Sequence, residues 1–167
     1  MTIKQQGIRE SDYKVVPRTL IFLFNENDRV LLLRKSPQKR LWAGFLNGIG
    51  GHIEAGEDVM EAALRELGEE AGITDVALAF CGQIMIDVSK NIGVALFVFK
   101  GNYDGHDQFQ VEDGELVWVG LNDLENQRVM EDLAILLPKV AVHKHGDALI
   151  VGKYTFDQEG KLKMLFL

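Results

Sequence analysis

Three glutamates, Glu66, Glu69 and Glu70, crowd one short stretch of this 167-residue chain. On a helical wheel at about 100° per residue, Glu66 and Glu70 are i, i+4 neighbours. Glu69 lies one turn from Glu66, so the three carboxylates are expected on a single face. Like charges at that spacing cost a helix a few tenths of a kcal/mol each. A cluster of this kind calls for a counter-charge, and hard carboxylate oxygens favour Mg²⁺, with Mn²⁺ or Ca²⁺ as alternatives. A solvated acidic face would carry the same residues. The glycines in front of them, Gly48, Gly50, Gly51 and Gly56, point instead to tight turns and a close approach of backbone to a ligand.

The elements that must position these groups follow from periodicity. Met60, Ala63, Leu64, Leu67 and Ala71 recur at helical spacing and predict a helix over 58–71, with one apolar stripe opposite the acids. Asp58 is its expected N-cap and Gly72 its left-handed stop. Two β-rich runs, 15–25 and 29–34, flank a polar turn and predict a hairpin. Segment 35–47 reads as irregular and 52–54 as strand-like. Further strands are predicted at 77–87, 93–100 and 115–120, a second helix at 131–139, and a closing hairpin of 148–156 with 161–167. No linker, repeat or low-complexity tract interrupts the pattern. The expectation is one α+β domain over 1–167, with a mixed central sheet and flanking helices.

Composition narrows the function. A net charge of −7 with no Lys/Arg cluster argues against long nucleic acid as partner. A small phosphate ligand remains open, because a divalent cation can bridge carboxylate and phosphate. No window approaches the run of about 20 apolar residues that spans a bilayer, and the polar N-terminus is not expected to be a secretory signal. Cys81 is the only cysteine, which excludes an internal disulfide and a cysteine-built zinc cage. A cytoplasmic protein, monomer or homodimer, is expected.

Gly51, Glu57, Arg65, Glu66, Leu67, Glu69, Glu70, Gly72 and Ile73 match every fixed and aliphatic position of the Nudix box, GX5EX7REUXEEXGU with U aliphatic. Seven fixed identities coincide by chance on the order of 10⁻⁹ per start position. The chain thus resembles the Nudix hydrolases, and the resemblance implies an α/β/α sandwich. It implies Glu66, Glu69 and Glu70 as metal ligands, together with a carbonyl of Gly50 or Gly51. Glu57 and Arg65 would form an ion pair orienting loop and helix. A further carboxylate from a distant loop is expected to assist, with Glu112, Asp113 and Glu115 as candidates. The base that activates water is Glu69, Glu70 or that distal acid.

Outside the box, Trp42, Phe45 and Asn47 resemble the base-binding stretch of MutT-type enzymes acting on oxidised purine triphosphates such as 8-oxo-dGTP. By the same likeness Asp132 would contact the base, although Met130 and Leu133 depart from the pattern of that group. No proline lies between Pro37 and Pro138 and no tyrosine between Tyr13 and Tyr103, so the downstream markers of ADP-ribose and dinucleotide polyphosphate hydrolases are missing. A nucleoside triphosphate is the leading substrate, and another nucleoside diphosphate derivative the second. An isomerase and an idle nucleotide-binding module share this fold. The intact box argues for turnover.

Overall fold

The computed structural model describes residues 7, 9, 11–38, 42–105, 111 and 114–167. Strand β1 (Lys14–Phe24) is the axis of the sheet. Its inner half, Leu20 to Phe24, is buried on both faces, which is why it reads as a continuous apolar run. β1 pairs in parallel along its whole length with β5 (Ile92–Asn102). β5 pairs antiparallel with β4 (Leu78–Asp87), and β4 in parallel with β7 (Ile150–Phe156), which turns back into β8 (Leu162–Phe166). On the other flank, β2 (Arg29–Lys35) pairs with β6 (Gly114–Gly120).

The sheet is not closed between β1 and β2. Their antiparallel pairing stops after Phe24↔Val30 and Leu23↔Leu31, and the strands then diverge. The chain that fills the gap begins as β3 (Leu46–Asn47), paired to β2, and crosses over to bridge β1 at Ile21↔Ile49 and Arg18↔His52. The glycine-rich stretch is therefore a wedge set within the sheet.

Two helices cover the two faces. Helix α1 (Val59–Ala71) packs Ala63, Leu67 and Ala71 onto Ile21, Leu23, Leu31 and Phe99. Helix α2 (Leu133–Val142) packs Leu133, Leu136, Leu137 and Val140 onto Leu20, Phe22, Leu32 and Val98. The alternation along β1 sends even-numbered side chains to α2 and odd-numbered ones to α1, as a period of two requires. The layering is the expected α/β/α sandwich with a mixed sheet.

α1 begins at a capping box. The Asp58 carboxylate accepts the N–H groups of Met60 at 2.8 Å and Glu61 at 2.9 Å, while the Glu61 carboxylate accepts the Asp58 N–H at 2.9 Å. Such a cap contributes about 1 kcal/mol. The helix ends at Gly72, φ 68°. Its apolar stripe differs from expectation on one side: Leu64 is 39% exposed, while Ala62 is fully buried. The contact line runs through Ala63 and Leu67, and Leu64 stands off its edge.

Other departures are local. The second helix starts at Leu133 rather than 131 and runs past Pro138 to Val142, because the burial of Leu136, Leu137 and Val140 outweighs the missing proline N–H. Part of the segment read as irregular is β3, and the strand read at 52–54 is a single bridge at His52. A 3₁₀ segment, Leu121–Asn126, follows β6 without a sequence signal we recognised.

Truncating Leu67, fully buried under α1, is expected to cost about 2–5 kcal/mol. Leu64→Ala is expected to stay within about 1 kcal/mol. Urea denaturation of both variants checks the register of the helix: equal losses would mean that the buried stripe has been misplaced.

Candidate active site

The wedge brings α1 and the glycines together from opposite sides. Gly51 faces Glu66 so closely that a Cβ there would sit 2.5 Å from Oε1 and 2.6 Å from Oε2. No residue but glycine leaves room for the carboxylate. Gly50 has φ 138°, and a Cβ on it would meet the Thr19 carbonyl oxygen at 2.5 Å. Freed of side chains, the loop places the Gly50 N–H on Glu70 Oε2 at 2.9 Å. Gly51 is tied to β1 twice: its N–H donates to Thr19 Oγ1 at 3.3 Å, and its carbonyl accepts the Thr19 N–H at 2.9 Å.

Arg65 organises the remaining charge. Its guanidinium grips Glu57 with two bonds, 2.6 Å to Oε1 and 3.1 Å to Oε2, a fork-on-fork pair. The same group donates to the His52 carbonyl at 2.9 Å, to Glu66 Oε1 at 2.9 Å and to Glu69 Oε2 at 2.9 Å. Glu57 Oε2 also accepts the Glu54 N–H at 2.9 Å. Loop 52–57 is thereby fastened to the helix. Arg65, with the Glu57 and Glu66 carboxylates beside it, keeps its charge even more firmly than usual. The guanidinium, and then the Glu54 N–H, hold Glu57 below the ordinary carboxylate range.

The three acids that the helical wheel put together differ in exposure. Glu66 is largely covered, with 13% of its side chain exposed, and Glu70 sits beside it against Gly50. Glu69 does not join them. It is 62% exposed and held by Arg65 at i−4, and it does not line the cavity described below. Among the described residues no three His, Cys, Asp or Glu side chains converge as a ready-made metal cage.

A cavity of about 480 Å³ opens beside Glu66 and Glu70. Its floor is the α2-facing side of the sheet, with Leu20 on β1, Leu96 on β5 and Ile86 on β4. Gly50, Gly51, Glu66 and Glu70 line it, and so do Asn47 and Asp132. Asn47 Oδ1 accepts the Gly48 N–H at 2.9 Å, which orients the amide. Asp132 stands at the N-cap position of α2 but makes no side-chain cap bond. Burial pushes its carboxyl above the usual range. The hydroxyl of Tyr154, paired in register with Ile86, is buried and has no hydrogen-bond partner among the described residues.

Trp42 and Phe45 are elsewhere, contrary to the stacking role expected of them. Trp42 is 52% exposed and meets Phe45 edge-on with ring centroids 5.6 Å apart, while Arg128 lies over the Phe45 ring at 4.7 Å. Neither lines the cavity, whose apolar contacts come from Leu20, Leu96 and Met130. Glu112 and Asp113 lie outside the described residues. Glu115, the third distal candidate, pairs with Arg34 at 2.8 Å and does not line the cavity. Sequence reading also missed Arg18, Thr19 and Lys35, which line the cavity from strands whose motif value shows only once the wedge is seen.

The oxygens that remain fit a hard divalent cation. Two carboxylates and the backbone oxygens beside them are what Mg²⁺ accepts when waters and substrate phosphates complete its shell. No thiolate lines the cavity to favour a softer metal.

A helix whose glutamates back a glycine loop, with a cavity running from them to amide and carboxyl groups, is the layout of a metal-assisted pyrophosphohydrolase. The NUDIX domain model matches residues 14–140, and the chain belongs to the Nudix family. It is a Nudix pyrophosphohydrolase of MutT-like fold. The chain is 28% identical over 141 residues to the uncharacterized Nudix hydrolase YvcI of Bacillus subtilis, covering 81% of this chain and 84% of that one. It is 37% identical over 79 residues to an oxidized purine nucleoside triphosphate hydrolase of Danio rerio, 46% of this chain and 49% of the other. Among solved structures, the MutT protein from Bacillus halodurans superposes with a TM-score of 0.73 at 25% identity, covering 91% and 97% of the two chains.

Because Glu57 is held low, its pairing stabilises the fold fully above the unfolded carboxylate pKa of about 4.3. That contribution is lost as pH falls through the lower folded value. The melting temperature of the parent is therefore expected to exceed that of Glu57→Gln at pH 7, with the gap narrowing below about pH 4. A gap independent of pH would show that the charge on Glu57 does not hold the loop.

Proposed function

We propose that this chain hydrolyses a nucleoside triphosphate in a Mg²⁺-dependent reaction, an oxidised purine such as 8-oxo-dGTP being the leading candidate, and releases nucleoside monophosphate and pyrophosphate. One observation carries the reading: a single cavity connects Glu66, Glu70 and the glycines at one end with Asn47 and Asp132 at the other. A phosphate chain suits the first end and a heterocycle edge the second.

In this reading Glu66 and Glu70, with the Gly50 carbonyl, would hold Mg²⁺, and Mn²⁺ is an acceptable substitute. The bound cation supplies charge neutralisation and a more electrophilic phosphorus. Glu70, the described candidate base that faces the cavity, orients a water and takes its proton. The water oxygen bonds to phosphorus, the bridging P–O bond breaks, and pyrophosphate leaves. Arg65 and Glu57 act by holding loop and helix in register, and Glu69 completes the charge balance through Arg65. Lys35 adds positive charge near the Asn47 end. At the other end the Asn47 amide offers donor and acceptor together, and the Asp132 carboxyl, pushed up by burial, contacts the base edge. Leu20, Leu96 and Met130 pack on the base, in the role first expected of Trp42 and Phe45.

The name of the Danio rerio relative, an oxidized purine nucleoside triphosphate hydrolase, supports the purine triphosphate. The reading implies a cytoplasmic enzyme of one domain, monomer or homodimer, that keeps damaged nucleotides out of the precursor pool. Among the described residues no helix is long and apolar enough to cross a membrane.

Two measurements test this. Purified protein with Mg²⁺ is expected to turn over 8-oxo-dGTP with a higher kcat/KM than dGTP, whereas a preference for ADP-ribose or a dinucleotide polyphosphate would replace the substrate. Glu70→Gln is expected to lower kcat by about 10²–10⁴-fold, the usual range for loss of a positioned base, with the melting temperature nearly unchanged. Parental turnover by that variant would remove Glu70 from the chemistry.

A further inference from the structure

The cavity holds two cations that the motif does not account for, Arg18 and Lys35, and neither has a carboxylate partner among the described residues. The wedge serves as a ruler for where each one stands. Asn47 lies opposite Leu33 on β2, and the Lys35 N–H bonds the Phe45 carbonyl at 3.0 Å, so Lys35 belongs to the Asn47 end. His52 lies opposite Arg18 on β1, one residue beyond Gly51, whose Cα faces Glu66. Four residues lie between Asn47 and His52, five steps of chain with a reach of at most about 18 Å.

Along that length the order is Asn47, then the glycines with Glu66 and Glu70, then His52 with Arg18. A nucleotide whose base is at Asn47 would run its phosphates past the glycines and Glu66 and end its chain at Arg18. We infer that Arg18 is a specificity-determining residue that binds the phosphates distal to the broken bond and so selects a triphosphate over a diphosphate. This rests on the orientation proposed above. The chemistry suits the residue: a guanidinium meets a phosphate with two parallel N–H donors, where an ammonium offers a point charge. It also answers a charge imbalance, since a chain of net charge −7 must draw in a polyanion. Arg18 is exposed, and its pairing with β5 and His52 uses the backbone alone, so replacing it leaves the fold intact.

The test compares the parent with Arg18→Ala and Arg18→Lys on dGTP and dGDP with Mg²⁺, alongside calorimetric binding of inorganic pyrophosphate and of dGMP. Arg18→Ala is expected to lower kcat/KM for dGTP by about ten-fold or more, the loss of a charge-assisted bond. The value for dGDP should change far less, and Arg18→Lys should recover part of the loss. Pyrophosphate with Mg²⁺ should bind Arg18→Ala about ten-fold more weakly, with dGMP binding unchanged. Equal losses on dGTP and dGDP, or unweakened pyrophosphate binding, would overturn the assignment. The pyrophosphate arm decides it even if the parent prefers another nucleotide, an outcome that would count against the proposed substrate alone.

Discussion

The parting of β1 and β2 after two paired residues is the constraint on which the site depends. An open gap in a sheet leaves backbone N–H and C=O groups unpaired, and such groups cost free energy when buried. Here the chain from 46 to 53 supplies the partners, first to β2 through Asn47 and then to β1 through Ile49, Gly51 and Ile53. The crossing passes under Leu20, Phe22 and Thr19 and directly against Glu66, where only residues without side chains fit. The glycines are there because a backbone must pass through a packed sheet. Their nearness to the acids of α1 is a consequence of that route.

Arg65 supplies the second organising interaction. Buried or half-buried carboxylates repel one another, and a helix carrying Glu66, Glu69 and Glu70 needs a cation near them in the absence of a metal. One guanidinium meets that need while joining Glu57 and the His52 carbonyl to the helix. The acids still differ in exposure: Glu69 is at the surface, while Glu66 and Glu70 stay with the glycine loop. A motif that reads as one cluster in sequence is thus two groups with different surroundings.

Much of this architecture was legible beforehand where a local rule governs it. The α1 cap at Asp58 and the stop at Gly72 follow from backbone chemistry within a few residues, and both are present. Strands β1, β2, β4 and β5 carry apolar runs that tertiary context did not need to amend. What escaped notice depends on distant partners. β3 is two residues long and exists only because β2 and β1 diverge around it. Trp42 and Phe45 look like stacking platforms by type, yet Arg128, more than eighty positions on, holds Phe45 outside the cavity. Arg18 and Lys35 resemble ordinary strand residues until the wedge gives them a shared cavity. The buried state of Asp132 likewise required the α2 face and Tyr154 to be in place.

The double tie between Gly51 and Thr19 reaches further than the packing of the loop. With N–H and carbonyl both committed, the peptide planes around Gly51 have little freedom to rotate when a ligand arrives. The glycine end of the cavity is preorganised, so its dipoles need no rearrangement when a ligand binds. The opposite end is assembled from the tip of β3 and the start of α2. If the proposed orientation holds, descendants of this chain could exchange one nucleobase for another by substitutions near Asn47, Met130 and Asp132, while inheriting the hydrolytic apparatus unaltered.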